Sequence, residues 1–253
     1  EIGKGAKPFV AAGVLEGAER VFGLHTAYDL EAGTVGLKPG INNAAVDHFR
    51  IRVHGKSTHV STPHLGVDAL YIASQIVVAV QGLVTRCTSP TEPVIIGVGK
   101  LNAGTTYNAV AAFAEMEGTT RTISQESRDR VRAQVSETAQ SIAALYGGTA
   151  EVEWTDFAAA LVNDPQVCEE AARVVDELLG AGHVVTDREL SLSGDNFAEF
   201  ELYKPGAYAY LGTGNPDLPH TMITNHNGGF DVDENALVTG AGLYVGYTVA
   251  RLG

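Results

Sequence analysis

Two histidines lie five positions apart in a polar turn in the first third of the chain. The turn, residues 55–68, joins an alternating strand-like run at 49–55 to a longer segment with helical spacing of apolar residues. Gly, Ser, Thr and Pro surround His59 and His64, so a loop on a rigid scaffold would place both imidazoles. Such loops carry chemistry more often than packing. The structural alternative is that both rings only bond backbone in a tight turn before a helix, where caps are also needed.

A carboxylate and two more histidines form a second candidate set. His25 ends the apolar run Val21-Phe-Gly-Leu-His25, which predicts a buried strand with the histidine at its carboxyl end, where α/β sheets bind ligands. With Glu1 and His226 it supplies the ligand types of a catalytic zinc-like site that keeps a position open for water. The wide separation of the three residues makes this a weak indication, and a surface role for His25 stays open.

Composition bounds the classes of protein that this chain can represent. Its 253 residues are 45% apolar and 19% charged, which is typical of a globular protein with a sizeable core. The formal charge of −13 argues against nucleic acid or an anionic membrane as partner. No apolar run approaches the roughly 18 residues of a membrane span, and no signal peptide is visible. Cys87 and Cys168 match no metal or redox spacing, so we expect buried free thiols and a cytoplasmic protein.

The middle of the chain predicts one compact α+β unit. Strand and helix patterns alternate in the order strand, helix, strand, strand, helix, strand. The predicted elements span residues 49–55, 65–86, 94–99, 109–123, 124–146 and 150–154, with Ser124 capping the second helix. This order is the split βαβ, ferredoxin-like arrangement. Charged residues of its helices are predicted to form a solvated face, namely Arg128, Asp129, Arg130 and Glu137.

The flanking segments predict a second, layered α/β domain. Its predicted helices span residues 6–13, 163–180 and 234–250, and its strands include 21–25 and 207–211. Asn163-Asp-Pro starts the middle helix with a cap and a proline at the first turn. A Gly/Ser-rich loop covers residues 191–197. The sequence therefore predicts one domain from residues 1–45 and 155–253, interrupted by an inserted domain at 46–154.

Nine ordered phrases connect these residues to a known family. They are Val21-Phe-Gly-Leu-His25, Gly33-Thr-Val-Gly-Leu-Lys-Pro-Gly40, Val53-His-Gly-Lys-Ser-Thr-His59, Pro63-His-Leu-Gly-Val-Asp68, Asn108-Ala-Val, Glu117-Gly-Thr-Thr-Arg121-Thr, Asn163-Asp-Pro, Gly206-Ala-Tyr with Leu211-Gly-Thr-Gly, and His226 with Phe230-Asp-Val-Asp-Glu234. Through these phrases the chain resembles, over essentially its whole length, the aminoacylase and amidohydrolase branch of the co-catalytic-metal (zinc) peptidases. Hippurate hydrolases, indole-acetyl-amino-acid hydrolases and zinc carboxypeptidases are relatives of that branch.

The resemblance implies a fold, an activity and an assembly. The fold is a split α/β catalytic domain of the phosphorylase/hydrolase-like type, with an inserted ferredoxin-like α+β lid that also forms a homodimer. The activity is metal-dependent hydrolysis of the amide bond of N-acyl amino acids, or of related small amides and peptides. Two divalent ions, zinc or manganese, would serve each active site of the complete enzyme.

The resemblance also implies roles for six residues. His25 and His226 match metal-binding histidines, and Glu1 matches the metal-binding second member of a Glu-Glu pair. His59 matches the lid histidine that reaches the site of the partner subunit and polarises the scissile carbonyl. Asn108 and Arg121 match lid residues that hold the substrate. These lid roles and the ligand set are expectations from the resemblance alone.

The departures from the family pattern bear on whether this chain alone can catalyse the reaction. The upstream His-x-Asp and Cys-Gly-His-Asp phrases do not occur in these residues, and the first member of the Glu-Glu pair, the general base, would precede Glu1. Gly194-Asp195-Asn196-Phe197 stands where relatives have Gly-Glu-Asp-Phe, which leaves the role of Asp195 open. We therefore expect the downstream part of a longer amidohydrolase, inactive alone. The alternatives are a non-catalytic dimerisation or binding remnant, and a dipeptidase or carbamoyl-amide hydrolase on the same scaffold.

Overall fold

The computed structural model describes residues 5–253, so Glu1 lies outside the described part of the chain. Ten strands and six α-helices occur there, separated by turns and two short 3-10 helices. The strands are β1 (Val21–Glu31), β2 (Val35–Gly36), β3 (Gly40–Asn43), β4 (Ala45–His54), β5 (Ile95–Ala103), β6 (Phe113–Thr122), β7 (Thr149–Ala158), β8 (Leu161–Asn163), β9 (Val184–Val185) and β10 (Gly206–Gly214). The helices are α1 (Ala6–Ala11), α2 (Ala69–Arg86), α3 (Gln125–Leu145), α4 (Pro165–Leu179), α5 (Ala198–Glu201) and α6 (Asn235–Leu252).

The chain divides into two compact units. The inserted unit comprises residues 44–160 and 192–194. The flanking unit comprises, among the described residues, 5–43, 161–191 and 195–253. The sequence-based division differs at the second border, which it placed at 154/155, because β7 continues four residues beyond the alternating run that predicted it.

The inserted unit is a four-stranded antiparallel sheet covered by two helices. Its strand order is β5-β6-β4-β7, with all three pairings antiparallel. From Phe49 onwards β4, one of the two central strands, alternates apolar residues that face the helices with polar and charged residues that face away, because successive side chains of a strand point to opposite faces. Phe49, Ile51 and Val53 are completely buried and pack with Ile72 and Ile76 of α2. The predicted α/β fold class and the ferredoxin-like element order are confirmed.

One charged residue of α3 does not lie on a solvated face, contrary to the expectation from sequence. Arg128 is only 6% exposed, and its Nε donates to Oδ2 of the buried Asp47 at 2.9 Å. Arg132, one turn further, donates to the same oxygen from its Nε at 3.1 Å. A helical pattern shows which positions share a face, but the buried anion that draws Arg128 inward lies about 80 residues earlier on β4.

The flanking unit has its core between a mixed sheet and two helices. The sheet order is β1-β10-β2-β9, with β1 parallel and β2 antiparallel to β10. Ala207, Ala209 and Leu211 of β10 face the core formed with α4 and α6. On β1 the strand continues six residues past His25, so the histidine lies within the strand rather than at its end. The polar run after His25 forms a half-exposed continuation that pairs irregularly with β10 beyond Ala27.

Side chains cap the helices where the sequence places suitable residues. Ser124 accepts from Ser127 N at 3.1 Å at the start of α3, as predicted. Asp164 accepts from Gln166 N and Val167 N at the start of α4, with Pro165 at the first helical position. Of the two cysteines, Cys168 is buried as expected, but Cys87 is exposed at the end of α2.

One helix within residues 5–253, α2, is long and apolar enough by length and composition to cross a membrane, which corrects the expectation that no segment comes close. Its inner face, which includes Ile72, Ile76 and Val80, packs in the core of the inserted unit. Core helices of soluble proteins pass the same test, so the finding is weak evidence for a span.

Candidate active site

His25 of the flanking unit is held in one tautomer. Its Nδ1 lies 2.7 Å from the carbonyl oxygen of Thr26. A carbonyl can only accept, so Nδ1 carries the proton and Nε2 keeps its lone pair. A histidine that donates one ring nitrogen to a backbone carbonyl and presents the other is the usual arrangement of a metal ligand. The local geometry therefore suits the role that the resemblance implies for His25.

His226 lies in a loop that is tied to the same carbonyl. The side-chain amide of its neighbour Asn225 donates to Thr26 O at 3.4 Å. His226 itself has φ +65°, a left-handed conformation that is uncommon for a residue other than glycine. The Thr26 carbonyl oxygen thus accepts from the His25 ring and from the side chain next to His226, although these are about 200 positions apart in the sequence.

The described residues do not form a complete metal site. No group of three His, Cys, Asp or Glu side chains within residues 5–253 is arranged to hold a metal ion. A catalytic zinc site commonly uses three protein ligands and one open position. His25 and His226 are two of the three ligands that the resemblance implies, and the third, Glu1, is outside the described residues.

His59 of the inserted unit is held in the opposite tautomer. The backbone N–H of Ser61 donates to its Nδ1 at 3.2 Å, and Ser61 Oγ lies 2.7 Å from the same nitrogen. Because a backbone N–H can only donate, Nδ1 is an acceptor and the neutral ring carries its proton on Nε2. The ring does bond backbone in a tight turn, as the structural alternative requires. That same bond turns an exposed Nε2–H donor outward, which suits a ring that polarises a carbonyl.

Asn108 lies beside His59. The two segments form an antiparallel bridge in which Val110 N donates to Thr58 O at 2.8 Å and Val60 N donates to Asn108 O at 3.2 Å. Thr106 Oγ1 donates to Asn108 Oδ1 at 3.2 Å. Two of the three residues expected on the lid are therefore neighbours on one rim of the inserted unit.

Arg121 lies at the other end of the inserted unit. It is near the carboxyl end of β6, whereas Asn108 precedes the first residue of that strand, Phe113. Arg121 comes eight positions after Phe113, which is about 26 Å along the strand at roughly 3.3 Å per residue. Its Nε donates to Leu192 O at 2.9 Å, and burial lowers the pKa of Arg121. One copy of this unit cannot bring Arg121 and His59 to the same small substrate.

The environment of His25 contains residues that the sequence analysis did not single out. The rings of Tyr208 and Tyr210 lie 6.1 and 5.9 Å from the His25 ring, centroid to centroid. Asp195 accepts from the Tyr208 hydroxyl at 2.9 Å. Burial is the largest cause that raises the pKa of Tyr208, and the negative charge of Asp195 is the second. The alternation of Ala207-Tyr-Ala-Tyr-Leu could have indicated that both tyrosines share a face opposite the core. Nothing in the sequence indicated which strand they would face.

Comparison with known proteins gives a consistent relationship over nearly the whole chain. Residues 44–146 match the peptidase dimerisation domain of the M20 type. Thermostable carboxypeptidase 1 of Saccharolobus solfataricus is 34% identical over 94% of this chain and 59% of its own length. N-acetyl-L-cysteine deacetylase of Bacillus subtilis is 36% identical over 94% of this chain and 55% of its own length. The chain thus spans little more than half the length of these curated relatives.

A solved structure agrees in fold. A dinuclear metal-binding peptidase of the M20 family from Bacillus subtilis superposes with a TM-score of 0.80. The two are 31% identical, and the match covers 99% of this chain and 62% of that one. The family predicted from the nine ordered phrases is thereby confirmed. Its dimerisation domain, its relatives and its fold all relate the chain to the M20 family of peptidases.

Proposed function

We propose that this protein is a metal-dependent amidohydrolase that cleaves the amide bond of N-acyl amino acids or related small amides and peptides. The observation that carries the proposal is the pair of opposite histidine tautomers. His25 presents the lone pair of Nε2, as a ligand must, whereas His59 presents an Nε2–H, as a donor to a developing oxyanion must. Related proteins named as a deacetylase and a carboxypeptidase support hydrolysis at an amide.

The residues of this chain would divide the work as follows. His25 and His226, with Glu1, would hold part of the metal site. Two divalent ions, zinc or manganese, would lower the pKa of a bound water and polarise the amide carbonyl. His59 would donate from Nε2 to the carbonyl oxygen as negative charge develops there, and Asn108 and Arg121 would hold the rest of the substrate, including its carboxylate.

A homodimer through the inserted unit would reconcile the positions of His59 and Arg121. These residues lie at opposite ends of the unit, so a second copy is needed for both to serve one substrate. The match to a peptidase dimerisation domain supports this assembly. The unit also has an open edge, β5, and an exposed apolar strip on α2 with Tyr71 46% and Val78 70% exposed. His59 of one protomer would then act at the site of its partner.

Two alternatives follow from specific observations. The absence of a complete metal-binding cluster within residues 5–253 supports a non-catalytic dimerisation or binding remnant. The 34% identity to a carboxypeptidase supports a peptide, rather than an N-acyl amino acid, as substrate. Hydrolysis assays with N-acetyl, N-benzoyl and N-carbamoyl amino acids, compared with dipeptides, would separate the substrate classes.

The decisive experiment compares metal content and turnover in two histidine variants of the same loop, made in the complete enzyme, because this chain alone is expected to be inactive. His59→Ala is expected to retain metal but to lose turnover by about 10²- to 10³-fold, the usual effect of removing one oxyanion donor. His64→Ala, an exposed neighbour outside the proposed machinery, is the matched control and should keep both. Wild-type turnover in His59→Ala would contradict the assignment. A protein that binds no metal and hydrolyses none of the substrates would favour the binding remnant.

A further inference from the structure

The His25 ring lies in a corner formed by two tyrosines of the neighbouring strand. His25 is directly opposite Tyr210 in the β1–β10 register, and Tyr208 is two residues away on the same face of β10. The planes of Tyr208 and Tyr210 are inclined to the imidazole by 64° and 52°. The two tyrosine rings also contact each other edge to face at 5.8 Å. Such contacts restrict the side-chain rotamer of the histidine.

Tyr208 is held at both its backbone and its hydroxyl. The buried Asn163 accepts from Tyr208 N at 2.8 Å and donates to Tyr208 O at 3.1 Å. Its hydroxyl donates to Oδ2 of Asp195, and the other oxygen of that carboxylate accepts from Phe197 N at 2.8 Å. The ring of Phe197 stacks on Tyr208 at 4.9 Å. The loop that carries Asp195 therefore fixes the tyrosine from its hydroxyl end.

The strand beneath these rings has a glycine where a side chain would collide with them. A Cβ on Gly23 would lie 2.8 Å from the Phe197 ring and 2.8 Å from the Tyr208 ring. Real Cβ atoms essentially never come so close, so only glycine lets both rings rest on β1. Gly23 is two residues before His25 and therefore shares its face of the strand.

The second tyrosine is held from the side of the neighbouring strand β2. The Tyr210 hydroxyl donates to Asn43 Oδ1 at 2.7 Å. The Arg188 guanidinium lies 4.5 Å from the centroid of the Tyr210 ring and pairs with Asp29. Its aliphatic stem crosses Gly36, where a Cβ would lie 2.5 Å from Arg188 Cδ. Tyr208 and Tyr210 are thus each held by their own hydrogen-bond and packing partners.

We propose that Asp195 and Tyr208 are a positioning pair that fixes the His25 imidazole with Nε2 free to bind metal. This proposal rests on the proposed function, in which His25 is a ligand. Neither residue needs to touch the metal or the substrate. The pair acts by holding the ring against Tyr210, so that the Thr26 carbonyl keeps the proton on Nδ1. It gives Asp195 a role that the departure from the family pattern had left open.

The test compares variants at position 208 by two measurements on the whole chain. The first is the dissociation constant for Zn²⁺, obtained by competition with a chromophoric chelator. The second is the tautomer of His25 in the metal-free protein, from the ¹⁵N chemical shifts of its ring. Tyr208→Leu removes the ring, Tyr208→Phe keeps the ring but loses the bond to Asp195, and Tyr203→Leu is a control at a tyrosine that is 63% exposed.

We expect Tyr208→Leu to bind Zn²⁺ at least about tenfold more weakly, the lower end of the effect of losing a residue that orients a ligand. Its His25 should show a mixture of Nδ1–H and Nε2–H forms, which a purely structural role of Tyr208 would not produce. Tyr208→Phe should show a smaller change of the same sign, and the control none. Should Tyr208→Leu fail to fold, Tyr208→Phe still reports both quantities.

A His25→Ala arm separates failure of this proposal from failure of the proposed function. If His25→Ala abolishes binding while Tyr208→Leu and Tyr208→Phe keep wild-type affinity and a single tautomer, the positioning pair is overturned and the ligand assignment stands. If His25→Ala binds Zn²⁺ as the wild type does, His25 is not a ligand. In that case the tautomer measurement alone still decides whether Tyr208 positions the ring.

Discussion

At the scale of single residues, the buried carboxylate of Asp47 makes a strong test of the fold of the inserted unit. Asp47 is 1% exposed and accepts hydrogen bonds from Arg128 and Arg132. Asp47→Ala leaves the buried Arg128 with only the half-exposed Asp156, 3.8 Å away, as a counter-charge. We therefore expect the free energy of unfolding to fall by about 3 kcal/mol, the lower end for a broken buried ion pair. Urea denaturation followed by circular dichroism would measure this loss.

The matched control for that substitution is Asp129→Ala, at an exposed position of α3, the helix that carries Arg128. The Asp129 carboxylate accepts a hydrogen bond from the side chain of Gln125 at the surface. Exposed substitutions of this kind usually change stability by about 0.5 kcal/mol or less. Equal losses in both variants would mean that the Asp47 network contributes no more than a surface pair.

Glu201 predicts a pH dependence of stability in the flanking unit. Its Oε2 accepts from Val162 N at 2.9 Å, whereas Oε1 is buried without a partner in the described structure. Burial raises the pKa of Glu201 from 4.5 to about 7, with the charges of Asp195 and Asp164 adding to the shift. Between these two pH values the folded state binds a proton that the unfolded state has released. Stability should therefore fall as pH rises through this window, by at most about 3 kcal/mol.

The substitution Glu201→Gln should remove that dependence. Glutamine keeps an acceptor for Val162 N but has no proton to lose. Unfolding free energies of the two proteins, measured at intervals from pH 4.5 to pH 7, should diverge, with the wild type losing stability relative to the variant. Parallel curves for wild type and variant would show that Glu201 titrates normally in the folded protein.

At the scale of elements, two adjacent residues of one motif should differ in their effect. Asp164 caps α4, and Asp164→Ala should cost about 1 kcal/mol, as is typical of a lost N-cap. Asn163 instead joins β8 to β10 and to the carbonyl of Lys38. Asn163→Ala would leave the buried N–H and C=O of Tyr208 without this partner, whereas Lys38 O keeps its bond from Asn42. Each unpaired group costs roughly 1–3 kcal/mol, so the loss should be larger than for Asp164→Ala. Thermal unfolding of both variants would rank them, and an equal or reversed order would contradict this account.

The elements that could be predicted from sequence are those with a long pattern or a cap. The alternation of β4, the spacing of α2, and the caps at Ser124 and Asp164 carry their information locally. The two-residue strands β2 and β9 are too short to show any periodicity. β2 forms because it pairs with β10 on one side and β9 on the other, and β9 forms because it pairs with β2. The extension of β1 past His25 was missed for a related reason, since its polar residues are stabilised by pairing and not by burial.

The candidate site shows the same division between local and distant information. Residue types at His25, His59 and His226 could be predicted to matter, because their phrases are distinctive. Their tautomers could not, since each depends on the geometry of a single hydrogen bond. The support of His25 by Tyr208 and Asp195 depends on contacts between residues well separated in the sequence, so only the fold reveals it.

At the scale of the whole molecule, the separation of His59 and Arg121 leads to a prediction about assembly. If one protomer completes the site of its partner, we expect the contact to involve β5, one of the two edge strands of the sheet, and the outer face of α2. On α2 an added Cβ at Gly82 would have no atom within 4 Å, and the same holds for Gly97 on β5, which allows a second chain to approach closely. Val78, 70% exposed, lies one helical turn before Gly82 on the same face.

A lysine at this position should therefore separate the protomers. Val78→Lys would bury a charge without a partner in the proposed interface, so the mass measured by light scattering after gel filtration should fall from about 53 to about 27 kDa. Leu145→Lys is the matched control, because Leu145 is 74% exposed on α3 and the substitution adds the same charge. It should leave the dimer intact. A Val78→Lys protein that remains dimeric would show that α2 does not form the interface. A wild type that is monomeric at the same concentration would show that His59 must act within its own chain or not at all.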